Sequence, residues 1–167
     1  MPDYFKFSDP DYFEALASPS MRVSGAVTRE VMPGWNLGAI LMGDDETDPN
    51  TPVASMLWIA PGDTLPRHAH DCFRVEVIAV GSIEVAGGEV LHPGDVMVSR
   101  PGEYYGPHIA GPEGCLSVEI FSAAKGTNPI SDPADGVDEH AVAVARRVNE
   151  VIARMQAEAA AGSAPAG

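Results

Sequence analysis

Basic side chains are scarce in this 167-residue chain: ten Lys and Arg stand against 24 Asp and Glu, for a formal net charge of −14. Phosphate backbones and anionic membrane surfaces repel so acidic a chain, so neither nucleic acid nor membrane is expected as a partner. Cysteine is scarcer still. Cys72 and Cys115 are the only two, too few for the disulfide framework of a small secreted domain, and they fit a reduced, cytoplasmic setting. Long apolar runs are missing: no segment approaches the roughly 18 apolar residues of a membrane helix. The start, Met1-Pro2-Asp3-Tyr4, has no basic lead into an apolar core, so it does not read as a signal peptide. There is no internal repeat. Nor do strands and helices alternate in the way that would imply a parallel sheet.

What the chain does hold is turn formers. It has 17 Gly and 15 Pro beside a globular 45% hydrophobic content, which suits a β protein with many turns better than a helical bundle. Its length is that of one domain with a sizeable core. An aromatic arm, Tyr4, Phe5, Phe7, Tyr12 and Phe13, comes first, and Asp9-Pro10-Asp11 marks a helix start within it. Two strands are expected next, Val23 to Val31 and Trp35 to Met42, broken at Pro33-Gly34. The acidic loop from Gly43 to Asn50 lacks calcium-loop spacing and reads as a solvated turn.

Further strands follow: Val53 to Ala60, Phe73 to Val80, Ile83 to Ala86, Glu89 to Leu91, Val96 to Val98 and Cys115 to Phe121. Their turns are Pro61-Gly62-Asp63, Gly81-Ser82, the hairpin signal Gly87-Gly88, His92-Pro93-Gly94-Asp95 and Gly111-Pro112-Glu113-Gly114. Short strands at such spacing predict a barrel or sandwich. After a Gly/Asn/Pro/Asp connector, Val137 to about Ala161 reads as a helix, with Val144, Val148, Val151, Ile152 and Met155 on an apolar stripe. Residues 162–167 read as a disordered tail.

The most informative stretch is Gly62-Asp63-Thr64-Leu65-Pro66-Arg67-His68-Ala69-His70, continuing through Glu76 to Gly81. On a strand, His68 and His70 share a face, and two imidazoles projecting together are a ready pair of metal ligands. The segment resembles the first motif of the cupin superfamily: Gly, five residues, His-x-His, then a Glu and a Gly. Gly62, His68, His70 and Gly81 fall in register with it. Arg74 stands where the family usually has a metal-binding Glu, and the nearest carboxylate, Glu76, is two residues on with the same strand parity. A second stretch, Arg100-Pro101-Gly102-Glu103-Tyr104-Tyr105-Gly106-Pro107-His108, resembles the second cupin motif. One spacing puts Tyr105 in the metal-His slot; three extra residues put His108 there.

The resemblance covers roughly residues 50 to 122. It implies an all-β double-stranded β-helix, the cupin jelly-roll barrel, spanning 23–122. An amino-terminal arm (1–22) would precede it, with the connector and carboxy-terminal helix (123–161) behind. It also implies a divalent metal, Fe, Mn, Ni, Zn or Cu, held by three histidines and a carboxylate: His68, His70, His108 and Glu76. Arg74, Tyr104, Tyr105 and Trp58 would contact substrate, with Tyr105, Arg74 and Glu76 catalytic. Arg74 either grips an anionic substrate or pairs with Glu76.

Three functions follow from this set. The first is a metal-assisted enzyme, of dioxygenase, isomerase or lyase type, acting on a small anionic organic molecule. The second is a metal-free cupin using a His/Tyr acid–base pair such as His68 and Tyr105, as in sugar epimerases. The third is a non-catalytic small-ligand binder. A homodimer is expected in each case.

Overall fold

The computed structural model describes residues 3–132 and 146–154. Its centre is two long antiparallel strands, β5 (Arg74–Glu84) and β8 (His108–Phe121). Around them lie β1 (Asn36–Leu41), β2 (Val53–Ile59), β3 (Thr64–Leu65), β6 (Val90–Leu91) and β7 (Val96–Ser99). One half of the pair is flanked by β7 on β5 and by β2 and then β1 on β8. The other half is flanked by β6 on β5 and β3 on β8. A separate two-stranded ladder joins β4 (His68–Ala69) to β9 (Ile130–Ser131). This is a mostly antiparallel β architecture with a few helices, as the sequence implies.

The long strands replace two expected turns. Gly81-Ser82 and Gly111 to Gly114 lie inside β5 and β8. The pairing register shifts between Ile78 and Val80 and again between Gly81 and Ile83. A glycine with positive φ permits such a bulge without ending the strand. Gly81 has φ +74°, and a Cβ there would sit 2.0 Å from the Gly114 carbonyl oxygen. Both the φ and the close approach of backbones therefore require glycine.

The expected strand Val23 to Val31 is instead a helix, α2 (Arg22–Val31). Its β-branched residues suggested a strand, but tertiary packing overrides so weak a preference. Gly25 is the reason it fits: a Cβ there would lie 2.5 Å from the Leu37 carbonyl oxygen of β1, so the helix backbone lies directly on the strand. A helix does start there, α1 (Tyr12–Leu16), with Asp11 at its N-cap position but no capping hydrogen bond from the Asp11 side chain. Residues 146–154 form a third helix, α3. Its Arg147 and Arg154 both reach Glu30 of α2, and its Val151 is buried. The rest of the expected carboxy-terminal helix and tail lies outside the described residues. No described helix is long and apolar enough to cross a membrane.

Register sets the interior. The inward row of Glu76, Glu119, Ser55 and Ala39 crosses β5, β8, β2 and β1. It runs between two apolar clusters, one around Leu57, Ile59, Ile78 and Ile83, the other around Leu41, Val53, Cys72 and Phe121. A polar band therefore crosses the middle of the core.

The glycine argument has a stability test. Gly62→Ala has φ +74° but open space around its Cβ, and should lose about 1–2 kcal/mol in denaturant unfolding. Gly81→Ala adds a backbone collision to the same φ and should lose about 3 kcal/mol or more. Equal losses would show that the bulge tolerates a side chain.

Candidate functional site

His68 sits on β4, which pairs with β9, and His70 directly follows it. Both rings are buried. His68 Nδ1 donates to the Pro66 carbonyl at 2.7 Å, and His70 Nδ1 donates to the Gly126 carbonyl at 3.2 Å. With the protons fixed there, each Nε2 carries its lone pair inward when the ring is neutral. The ring centroids are 5.1 Å apart. Tyr105 is locked to the same strand through paired backbone hydrogen bonds with His68. Its ring lies 4.5 Å from His68, 6.1 Å from His70 and 5.4 Å from His108. Tyr105 and His108, the two residues between which the second motif left its choice, lie in ring contact with each other.

Arg74 enters from β5 and is completely buried. Its guanidinium lies 4.6 Å from the Tyr105 ring centroid. Nε donates to Glu119 Oε1 at 2.8 Å, and Nη2 donates to Glu119 Oε1 at 2.5 Å and to Glu76 Oε2 at 2.6 Å. Ser55 Oγ completes the Glu119 carboxylate at 3.0 Å. Glu119 was not among the residues singled out from sequence, yet it is Arg74's main partner.

Electrostatics follow burial. Loss of water pushes the His70 and His108 pKa values down to about 4 and lowers that of His68, and Arg74 adds to the effect on each. Burial also pushes the Tyr105 hydroxyl well above its usual range. Burial works against the charge on Arg74, but Glu119 and Glu76 outweigh it and hold the guanidinium charged. Of the two carboxyls, Glu119 is held below the usual range because Arg74 overcomes its burial. Glu76 is raised by burial and by the like charge of Glu119. The cluster is therefore Arg74⁺ with Glu119⁻, neutral imidazoles, a neutral phenol, and a Glu76 drawn toward its protonated form.

No protein-family model matches the chain, and no curated protein does. Solved structures match in fold. Bacillus subtilis oxalate decarboxylase, in a structure from work on its Mn(II) centres, superposes with a TM-score of 0.50 and 16% identity over 66% of this chain and 32% of that one. An RmlC-like cupin from Shewanella frigidimarina gives 0.49 and 19% over 74% and 94%. KdgF from Halomonas sp. gives 0.44 and 20% over 55% and 82%. The chain folds as a cupin. At these identities the likeness carries the fold and nothing finer.

A cupin's metal can be tested against this donor set. The carbonyl-held Nδ1 atoms of His68 and His70 are what metal-ligating histidines need. The rest of the set is less suited. Glu76, expected as the carboxylate ligand, gives its Oε2 to Arg74. The Tyr105 ring lies against all three imidazoles, and the buried Arg74 guanidinium stands over that ring. Among the described residues, no three His, Cys, Asp or Glu side chains are grouped to hold a metal ion. His68 and His70 of the expected set lie side by side, and Tyr105 is in ring contact with both of them and with His108.

Three further residues can be placed. Arg74 pairs with Glu76, one of the two readings the sequence left open, and with Glu119 besides, with Nη1 left over. Trp58 does not wall the interior: it is on the outward side of β2, between the buried Leu57 and Ile59, with its ring 6.4 Å from Phe7. Tyr104 lies at the rim, with its hydroxyl donating to the Ser131 carbonyl at 3.4 Å and Arg67 5.9 Å over its ring. His92 is exposed, as expected, and His140 lies outside the described residues.

Two measurements test this electrostatic account. Arg74→Met leaves Glu76 and Glu119 facing each other without a cation and should lose about 3–5 kcal/mol at neutral pH. That deficit should shrink as pH falls and both carboxyls take protons; a deficit independent of pH would mean that lost packing, not charge, was responsible. The histidines give the opposite slope. Their folded pKa near 4 lies below the usual 6.5. Between those values the unfolded chain takes protons that the folded one refuses, so stability falls as pH drops from 6.5 toward 4. His70→Gln should flatten this slope relative to wild type, a comparison in which the opposing contribution of Glu76 cancels.

Proposed function

We propose that this chain is a small-molecule cupin that works without a resident metal, binding a compact polar organic molecule and moving a proton on it. The observation that carries the reading is a set of orphans. Among the described residues, Arg74 Nη1, Tyr105 Oη and His108 Nδ1 are buried with no hydrogen-bond partner, and Glu76 Oε1 and Ser117 Oγ have at most each other. All five belong to the polar band and the ring cluster beside it. Unpaired buried polar atoms are costly, roughly 1–3 kcal/mol each, and a cluster of them in one place is a site awaiting a polar guest.

Their chemistry describes the guest. Arg74 Nη1 is a pure donor, and the Tyr105 and Ser117 hydroxyls can donate beside it, which suits a carbonyl or carboxylate oxygen. Glu76 Oε1 and His108 Nδ1 can accept from a neighbouring hydroxyl. A small hydroxy or keto acid meets both demands. For the reaction, the lone pair on His68 Nε2 takes a proton from carbon next to the substrate carbonyl. Tyr105, kept neutral, donates to the oxygen on which charge develops. Return of the proton to a different atom completes an isomerisation, with no electron change and no co-reactant. The metal-assisted alternative retains one observation in its favour, the pinned Nδ1 atoms of His68 and His70.

Metal analysis of protein purified without chelator or nickel separates the two. The proposal expects metal well below one equivalent. It also expects substrate-dependent exchange of a carbon-bound proton in D2O, seen by NMR with a panel of hydroxy and keto acids. His68→Ala and Tyr105→Phe should each slow that exchange by about 100-fold or more while ligand-induced thermal shifts persist. One equivalent of metal, lost in His68→Ala and His70→Ala, would sink the metal-free reading. Thermal shifts without exchange would leave a binding protein rather than an enzyme.

A further inference from the structure

The side chains that would receive a guest are shut away from solvent. Arg74, Glu76 and His108 are at most 1% exposed, His70 is 6% and His68 8%. A molecule of several atoms reaches them only if some element moves. Two segments adjoin the histidine pair. Residues 100–107 are held at His68 by paired backbone hydrogen bonds with Tyr105, at His70 by the Gly102 N–H, and by the Tyr105 ring against both imidazoles.

Residues 122–132 are held unevenly along their length. At the near end, the Ala124 and Lys125 N–H groups donate to the Thr51 and Pro49 carbonyls, and Ala123 and Ala124 pack on the apolar cluster around Phe121 and Cys72. A single turn, Ala124–Gly126, follows. Gly126 is buried, and a Cβ there would lie 2.4 Å from Cys72 Cβ and 2.7 Å from its Sγ. The backbone at Gly126 therefore rests directly on Cys72, and its carbonyl accepts from His70 Nδ1 at 3.2 Å. Beyond it, none of residues 127–132 is buried. What holds them is polar: the two-residue ladder of β9 with β4, the Tyr104 hydroxyl on the Ser131 carbonyl at 3.4 Å, and Arg67 Nε on Asp132 Oδ2 at 2.6 Å. A stretch with exposed hydrogen bonds and little buried apolar surface sits at the low-stability end of a fold and opens before its surroundings.

We infer that residues 126–132 are the gate of the interior site, hinged at the Ala124–Gly126 turn and latched by the Arg67–Asp132 pair. Lifting them uncovers Cys72 and takes from His70 the carbonyl that holds its Nδ1 proton, so the closed gate also sets the imidazole. Arg67 directly precedes His68, and the cation that Asp132 releases then stands at the mouth, where it draws in an acid that a chain of charge −14 would otherwise repel. The identity of the guest rests on the proposed function; the opening itself is measured without a guest.

Cys72 is the natural reporter, and Cys115, completely buried in the other apolar cluster, is its control. N-ethylmaleimide, added to the native full chain and followed by peptide mass analysis, should label Cys72 at least about 100-fold faster than Cys115, with a weaker dependence on denaturant. Arg67→Gln should speed Cys72 labelling about fivefold. Gly126→Ala, which drives a Cβ into Cys72, should speed it about tenfold or more. Diethyl pyrocarbonate, a small electrophile that acylates neutral imidazoles, should modify His70 in step: both variants should raise its rate by the factor seen at Cys72, while exposed His92 reacts alike in every chain. Cys72 and Cys115 labelling together, with one denaturant dependence, would mean that the stretch opens only when the whole fold does, and would overturn the gate. So would a His70 rate that stays at the wild-type value in variants whose Cys72 labels faster, because the interior would then have another entrance. Failure to find proton exchange on any acid removes the proposed reaction and leaves these rates as stated.

Discussion

Two carboxylates face each other across the central strand pair, Glu76 on β5 and Glu119 on β8, and Arg74 is what makes that tolerable. Like charges directly opposite on a sheet repel, and water is excluded here. A guanidinium on the same strand as Glu76 reaches both, with its fork spanning the gap that the ladder imposes. Its remaining nitrogen and its flat face then organise the site: Tyr105 stacks against it, and its charge helps to keep His68, His70 and His108 neutral. In a metal-bearing site of the same fold, a divalent cation would be the central positive charge. Here a tethered guanidinium is the central positive charge, and the two carboxylates are arranged around it by hydrogen bonds.

How much of this was legible depended on which rule each residue obeyed. His68 and His70 were readable because strand parity alone puts both on one face, and the pairing of β4 leaves that parity intact. Arg74 stood out because it departs from a motif. Glu119 did not, because the alternation of its strand points the other way. In Cys115-Leu116-Ser117-Val118-Glu119-Ile120-Phe121, the usual rule puts Leu116, Val118 and Ile120 inside. The fold does bury Leu116, but beyond it places Ser117 and Glu119 inside and Val118 and Ile120 outside, with Glu119 opposite Glu76 on the paired strand. No local pattern carries that arrangement. It arises between strands more than thirty residues apart in sequence, as the pairing of Glu76 with Glu119 shows.

Glycine misled for a related reason. Gly81 and Gly114 carry the same signal as Gly87 and Gly88, which do turn a hairpin. The difference is the neighbour: Gly81 and Gly114 face each other closely, so their freedom is used to bulge two long strands together. Gly25 is similar: it falls within the expected strand Val23 to Val31 but seats a helix on β1.

The inversion of polarity in this sheet links the site to the surface. A buried ion pair is rarely retained for stability, since well-packed apolar residues in its place are often neutral or better. A chain that needed only a stable barrel would fill the band with Val and Leu, and would have no reason to turn Val75, Val77, Val118 and Ile120 outward. The polar residues inside therefore argue for chemistry inside. Once they are fixed at inward positions, alternation assigns the intervening apolar residues of the same strands to the other side of the sheet. One strand register therefore sets both the buried polar band and the apolar residues on the opposite side of the same sheet.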